Sequence, residues 1–410
     1  MLLIPKEFGS DRALKYKNCS ERKNLFTNLW YEHSSLFFIA IASVSYFVIN
    51  IIAKKVLSTD DFNIWIYIIS LITFFSTFAM MGQDQLLLRF CKSQKSSIII
   101  DKFSITFAFS SLIIFIPLSL LLFGNNTMGV KPIEIICIII LYSFCKLAYQ
   151  LTRIQKLFLL SQMSINGWKL ILLPMIIFVA YIGVANLFLA SFVFGAVTFL
   201  FVISSSKLKI INKIETIFKY SFGYFLSMSV MAIFVYFERF LIEGKITASE
   251  YTDFLYFLTI SLSIFSILAS YFGFKEAVKY KEFFSYEDIK KDLLKVLYIV
   301  IPLSIIWSLF IYFVSPLLEV RVDIDSLLLI SIIGVFKCLY SILSSVMAVR
   351  MPFSDILIIN IRTIVMFAIF YIFAMEFVEN ITFLLIIIAL CWLLRSVFIF
   401  YRIRGIEGID

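Results

Sequence analysis

The residues of this chain that could do chemistry are charges set inside long apolar runs. Lys146, Glu238, Arg239, Lys337 and Arg362 all lie deep within such runs. A charge at the bilayer centre costs about 2.5–3.5 kcal/mol on insertion scales, so it faces a cavity or a partner rather than lipid. Four of these five are cations. Uncompensated cations in a low-dielectric cavity attract anions, and arginine suits phosphate through its paired donors. Lys146 and Arg153 are seven residues apart, two helical turns, and share a face with Tyr149 and Gln150 on or beside it. Glu238 and Arg239 are adjacent and project about 100° apart on a helix, so each wants a different partner. Asp84 and Arg89 stand at the end of the second apolar run, where they form either an inner gate or a structural ion pair. Glu238 or Asp84 is the group to carry a coupling H⁺ or Na⁺. Lys169 and Arg395 lie near the ends of their runs and are expected to snorkel to headgroups. No clustered constellation of acids and bases is found, so no catalytic residue is assigned. The single histidine, His33, sits in a polar segment, and the six cysteines form no CxxC pair. No metal site, disulfide or cofactor is expected.

The elements that must position these charges follow from composition. The chain has 410 residues, 61% hydrophobic and only 15% charged, against about 25% charged in soluble domains. Mean hydropathy is +0.99. Apolar runs fall at about 35–53, 64–82, 103–123, 133–151, 168–183, 187–204, 221–242, 252–273, 296–315, 327–348, 355–375 and 380–400. Each is near the roughly 20 residues that a spanning helix needs. The expectation is an all-α polytopic membrane protein of twelve transmembrane helices. Residues 1–34 form an N-terminal tail and 35–204 a first six-helix bundle. A linker over 205–220, a second bundle over 221–401 and a tail over 402–410 complete the chain. The split near Gly183–Asn186 makes a tight hairpin of what would otherwise be one helix of about 55 Å.

Lys and Arg set the orientation. The two tails and the loops after even-numbered spans carry 25 of them, and the loops after odd-numbered spans carry five. This bias places both termini in the cytoplasm, with no cleaved leader before the first span. The basic residues are dispersed rather than clustered, which excludes nucleic acid as a partner. The stretch Lys275–Lys291 is either a basic amphipathic helix on the inner leaflet or a solvated linker.

An internal repeat is visible. With an offset of 189, Leu57–Phe62 aligns with Ile246–Tyr251, Trp65 with Phe254, Tyr67 with Tyr256 and Ser70 with Thr259. Six spans separate the two copies, so both have the same orientation. That predicts two bundles related by a twofold axis along the membrane normal, with a site between them. Pro117 and Pro302 interrupt corresponding spans, as Pro174 interrupts span 5. Such breaks are a weak pointer to a binding site beside the commoner reading of ordinary helix bends. The sign of the cargo also fits export, since moving a dianion out of an electrically negative interior is downhill by roughly 4–5 kcal/mol per 100 mV.

Two segments carry a resemblance: KKVLSTDDFNIWIYIISLITFFSTFAMMGQDQLLLRF and FERFLIEGKITASEYTDFLYFLTISLSIFSILASYFGF. They resemble the multidrug/oligosaccharidyl-lipid/polysaccharide (MOP) exporter superfamily, and more specifically a Wzx-type O-antigen flippase. Asn63 stands where that family usually has glycine, and Glu238 where it usually has aspartate before the arginine. The resemblance implies a MATE-like pair of bundles in the bacterial inner membrane. Its cationic cavity would bind undecaprenyl-diphosphate-linked oligosaccharide and pass it to the periplasmic leaflet by alternating access, for O-antigen, lipopolysaccharide or other surface polysaccharide synthesis. A polysaccharide polymerase and a chain-length regulator are the implied protein partners. On this reading Arg239, Lys146, Lys337, Arg362 and Arg153 hold the diphosphate, and Glu238, Asp84 and Arg89 serve ion coupling or gating. The rival in the same fold is a cation-coupled drug antiporter, which would depend on Glu238 or Asp84 instead. A membrane polysaccharide polymerase or ligase would need a sizeable external loop, and the expected external loops are about ten residues or fewer. The major facilitator fold shares the span count, but its Gly- and Arg-rich loop after span 2 is replaced here by RFCKSQKSSIIIDK.

Overall fold

The computed structural model describes residues 21–78, 80, 82–94, 97–123, 130–205, 207–211, 219–231, 248–316, 323–377 and 381–406. The first half contains α1 (Glu21–Val56), α2 (Thr59–Phe78), α3 (Gln83–Phe90), β1 (Lys92–Gln94), β2 (Ser97–Asp101) and α4 (Lys102–Phe123). It continues through α5 (Pro132–Ile154), α6 (Phe158–Met175), α7 (Val184–Ser205) and β3 (Lys207–Ile211). The second contains α8 over 219–231, α9 (Ala248–Ser261), α10 (Ser263–Glu282), α11 (Tyr286–Val314), α12 (Ile324–Arg350), α13 (Phe353–Phe377) and α14 (Ile381–Ile403).

Among the described residues, seven helical stretches are long and apolar enough to cross a membrane. They are Ser34–Val56, Pro132–Ile154, Phe158–Ile182, Tyr286–Val314, Ile324–Arg350, Phe353–Glu376 and Ile381–Ile403. These fall on expected spans 1, 4, 5 and 9 to 12, with the helices of spans 5 and 9 starting ten residues before the expected 168 and 296. Expected spans 2, 3 and 6 fall on α2, α4 and α7. The described parts of spans 7 and 8 fall on α8 and on α9 with α10. The outer faces are what lipid requires. Along α11, Ile301, Ile305, Leu309 and Phe313 recur every fourth residue and are all exposed, while Val296, Val300 and Ile311 on the other side are buried. An exposed stripe of that length is solvated by hydrocarbon, not water. The chain is a multi-pass helical membrane protein.

Two apolar clusters organise the interior. One joins α1, α2 and α4 to α7 around Trp65, Trp168, Phe188 and Phe192. The other runs through α8 to α14 and takes in Leu86–Leu88 of α3 and Leu147, Leu151 and Ile154 of α5. The end of the first half that carries α3 is therefore packed into the core of the second. The repeat reappears in what α2 and α9 bury. Trp65 and its counterpart Phe254, Ile68 and Phe257, and Leu71 and Ile260 are all buried.

Several expectations are corrected. Span 2 does not run through to residue 82. α2 ends at Phe78, and α3 starts after Gly82, whose φ of 79° is left-handed. A Cβ on Gly82 would lie 2.6 Å from the Tyr224 carbonyl carbon, so glycine both makes the turn and lets α8 approach. Span 8 falls on α9 and α10, which meet at Leu262 with helical hydrogen bonds continuing through it, Leu262 N to the Leu258 carbonyl at 2.9 Å and Ser266 N to the Leu262 carbonyl at 3.0 Å. Lys275–Lys291 is neither a separate surface helix nor a linker. α10 continues to Glu282, three residues turn the chain, and α11 starts at Tyr286. The expected hairpin after span 5 is present: Gly183, at φ 76°, stands between a last helical turn at Val179–Ile182 and α7. The helices are joined by a small sheet that an all-α reading omits. β1 pairs antiparallel with β2, and β2 pairs parallel with β3 in the register Ser97↔Lys207 to Asp101↔Ile211. Isoleucine-rich SIIID and KLKII suit a pleated surface. They lie in the loops after spans 2 and 6, which the sheet ties together on one end of the molecule. Lys156, Lys281 and Arg350 also lie at this end, which is called the basic end below.

Candidate functional site

A cavity of about 370 Å³ lies between the halves. α5 contributes Lys146, Tyr149 and Arg153, and α3 contributes Gln85. α8 supplies Tyr224 and Ser227, α10 supplies Gly273 and Phe274, and α12 supplies Tyr340 and Ser344. The heptad spacing of Lys146 and Arg153 puts both on the cavity wall, as the sequence predicts, with Tyr149 between them. No carboxylate is among the described lining residues. The wall offers two cations, phenol and serine hydroxyls and apolar surface. That is a set able to receive an anion with a hydroxylated or apolar remainder.

The basic end of the cavity is closed by cations of one half placed on backbone carbonyls of the other. Arg153, only 5% exposed, donates to the Phe274 carbonyl at 3.2 and 2.9 Å and to the Gly273 carbonyl at 3.0 Å. Its guanidinium also lies 5.0 Å from the Phe274 ring and 5.7 Å from the Tyr149 ring. Arg89 of α3 donates to the Met351 carbonyl at 2.7 Å, just past the end of α12. It also reaches the hydroxyls of Tyr224 at 3.1 Å and Tyr220 at 3.3 Å, and its guanidinium packs 4.2 Å from the Tyr220 ring. Reciprocally, Lys281 of α10 donates to the Leu88 and Cys91 carbonyls at the end of α3. Carbonyls at helix C-termini lack intrahelical partners and carry the negative end of the helix dipole, so they attract cations. Gln83 Nε2 donates to Ser221 Oγ at 2.6 Å, and Lys156 pairs with Glu282 at 2.7 Å. Beside this end Lys279 pairs with Asp292, and with Glu276 at 3.3 Å. Burial, with the Asp292 carboxylate close by, pushes the Glu276 carboxyl above its usual range.

The remaining predicted residues are placed differently. Lys337 is half-buried with its ammonium 5.1 Å from the Trp392 ring, and it does not line the cavity. Arg362 is exposed, and the cavity expectation fails for it. Asn360, Thr363 and Phe367 form the buried face of α13, and a step of about 100° per residue turns Arg362 outward with Ile361 and Val365. Glu238 and Arg239 lie outside the described residues, as does the side chain of Asp84, the second residue of α3. Pro117 and Pro302 are exposed and lie within continuing helices, and Pro174 is exposed one residue before α6 gives way to a 3-10 turn at Ile176–Phe178; all three lie away from the cavity.

Two residues expected at the headgroups turn inward. Lys169 donates to Asn166 Oδ1 at 2.8 Å and lies 5.4 Å from the Tyr46 ring. Arg395 is fully buried. Its Nε reaches the Tyr340 hydroxyl at 3.3 Å and its Nη2 reaches Asn360 Oδ1 at 3.5 Å, while Nη1 has no hydrogen-bond partner among the described residues. Sequence reasoning missed a signal here. Lys146-x-x-Tyr149 on α5 recurs as Lys337-x-x-Tyr340 on α12, 191 positions later. Both tyrosines line the cavity, and each has an arginine near its ring: Arg153 at 5.7 Å and Arg395 at 5.5 Å.

No protein-family model matches the sequence, and no curated protein matches it. Solved structures do. An outward-facing conformation of a multidrug resistance MATE family transporter of the MOP superfamily matches with a TM-score of 0.61 and 13% identity. The match covers 92% of this chain and 97% of that one. A crystal structure of a MATE mutant matches with a TM-score of 0.58 and 13% identity, covering 91% of this chain and 96% of its own. At this identity the likeness is one of fold: the chain shares the fold of these MATE structures.

Proposed function

We propose that the chain is a flippase that moves undecaprenyl-diphosphate-linked sugar repeat units from the cytoplasmic to the periplasmic leaflet of a bacterial inner membrane, for O-antigen or another surface polysaccharide. The observation that carries this reading is the cavity between the halves, whose wall brings Lys146 and Arg153 together with tyrosine and serine hydroxyls. Two fixed cations in a low-dielectric wall favour an anionic headgroup, and the hydroxyls of Tyr149, Tyr340 and Ser344 suit a sugar. In this reading the twelve apolar runs are twelve spans in two parallel bundles, and both termini are cytoplasmic. The basic end is then the cytoplasmic gate, shut in an outward-facing state. Polymerase and chain-length regulator would act downstream on the delivered units, and H⁺ or Na⁺ entry through Glu238 or Asp84 would add to the drive from the membrane potential.

A second reading is favoured by the kind of transporter that shares the fold: a cation-coupled drug antiporter. Deleting the gene in its own host separates the two. The flippase reading expects loss of surface polysaccharide and repeat units trapped on the inner leaflet, restored by the wild-type chain and not by Lys146→Gln or Arg153→Gln. Intact polysaccharide with altered drug sensitivity would replace it by the antiporter.

A further inference from the structure

We propose that Arg153 is an affinity switch: with the basic end open it binds the cargo's diphosphate, and as that end closes it passes to the Gly273 and Phe274 carbonyls and lets the anion go. The proposal rests on the flippase reading and adds a device that reading does not require. Three observations carry it.

First, Arg153 belongs to two structures at once. It lines the cavity beside Lys146 and Tyr149, and it makes three hydrogen bonds across the interface between α5 and α10. Donors held by carbonyls are not available to a phosphate. In the closed state the cavity therefore has Arg153 engaged by the other half. Second, Arg153 can leave at low cost to the acceptors. The Gly273 carbonyl also accepts from Ser345 Oγ at 2.8 Å, and Phe274 lies inside α10, where its carbonyl has an intrahelical donor. Neither is orphaned when the guanidinium moves, so the penalty for an unsatisfied buried carbonyl does not arise. Third, Arg153 itself cannot be left alone. A buried guanidinium without a partner is costly, so it must hold either the carbonyls or an anion. A phosphate offers charge-assisted, bidentate bonds, stronger than those to neutral carbonyls. Opening and anion binding thus favour each other, and by linkage closure weakens binding by the same factor.

The test locks the gate and measures affinity. Lys156→Cys and Glu282→Cys are introduced in a background lacking the six native cysteines and joined by a short bifunctional maleimide. Their exposed ion pair contributes little by itself. Binding of undecaprenyl diphosphate in detergent is compared for locked and unlocked protein. With Arg153 present, locking is expected to weaken binding about ten- to a hundredfold, the value of one charged hydrogen-bonding partner. In Arg153→Gln the two forms should bind equally, at the locked level. Arg153→Lys, which keeps the charge with fewer donors, should retain part of the difference and guards against a folding defect in the glutamine variant. Equal affinity of locked and unlocked protein with Arg153 present overturns the switch alone, as does an undiminished difference in Arg153→Gln. No binding by unlocked protein with Arg153 present overturns the cargo reading, and the switch with it.

Discussion

Replacing Arg395 by methionine should stabilise this protein. The guanidinium is fully buried, and its two hydrogen bonds, at 3.3 and 3.5 Å, are long and go to neutral acceptors. Among the described residues Nη1 has no hydrogen-bond partner, and no carboxylate forms an ion pair with the guanidinium. Replacing even a buried ion pair by apolar side chains of similar volume is often neutral or stabilising by about 1–4 kcal/mol, and a guanidinium with neutral acceptors has less attraction to lose. Against that stand the weak Asn360 bond and a cation–π contact at 5.5 Å with Tyr340, the latter contributing about 0.5–2 kcal/mol. Tyr340 keeps a neighbour for its hydroxyl in the Met231 sulfur at 2.9 Å. The balance for Arg395→Met is a gain of about 1–2 kcal/mol. The assay is unfolding in detergent, followed as inactivation half-life because membrane proteins often unfold irreversibly. A loss of about 3–5 kcal/mol instead is the signature of a broken buried ion pair. That result would refute the reasoning, since Arg395 would then have a carboxylate partner.

Other consequences are as direct. Gly82→Ala forces an L-residue into the left-handed region, about 1–2 kcal/mol, and sets a Cβ 2.6 Å from the Tyr224 backbone. Unfolding in detergent should show a marked loss of stability, and an unchanged melting curve would mean that α3 and α8 do not meet there. Glu276 has a raised folded-state pKa. Its contribution to stability is therefore fully present below the ordinary carboxylate range and is lost as pH rises through the raised value. Glu276→Gln should then be the more stable protein at pH 8 and match the wild type near pH 4, whereas parallel pH profiles would contradict the assignment.

What the sequence revealed and what it hid have physical causes. Spans were legible because a run of about 20 apolar residues is one signal carried by many positions. Lys146 and Arg153 were legible because one helix face is set by local spacing. The direction of Arg362 was not. In a soluble helix polar positions mark the outside, but α13 is apolar toward both lipid and core, and Ile361 and Val365 look like Ile356 and Ile359 until burial separates them. Arg395 was hidden by its place near a span end, where a long side chain reaches either water or the interior. The gate was hidden because its acceptors are carbonyls, Met351, Leu88, Gly273 and Phe274, which no side-chain pattern records. β1 and β2 pair locally within one loop, but β3 joins them from a loop more than a hundred residues away, which no local pattern records.

The central claim is that the cavity between the halves takes an anionic lipid headgroup. Equilibrium binding to purified protein tests it most directly, with undecaprenyl diphosphate compared with undecaprenol and with a lipophilic organic cation. The account predicts salt-sensitive binding of the diphosphate, weak binding of the alcohol, and loss of the difference in Lys146→Gln/Arg153→Gln. Tight binding of the organic cation, with none of the diphosphate, would contradict it.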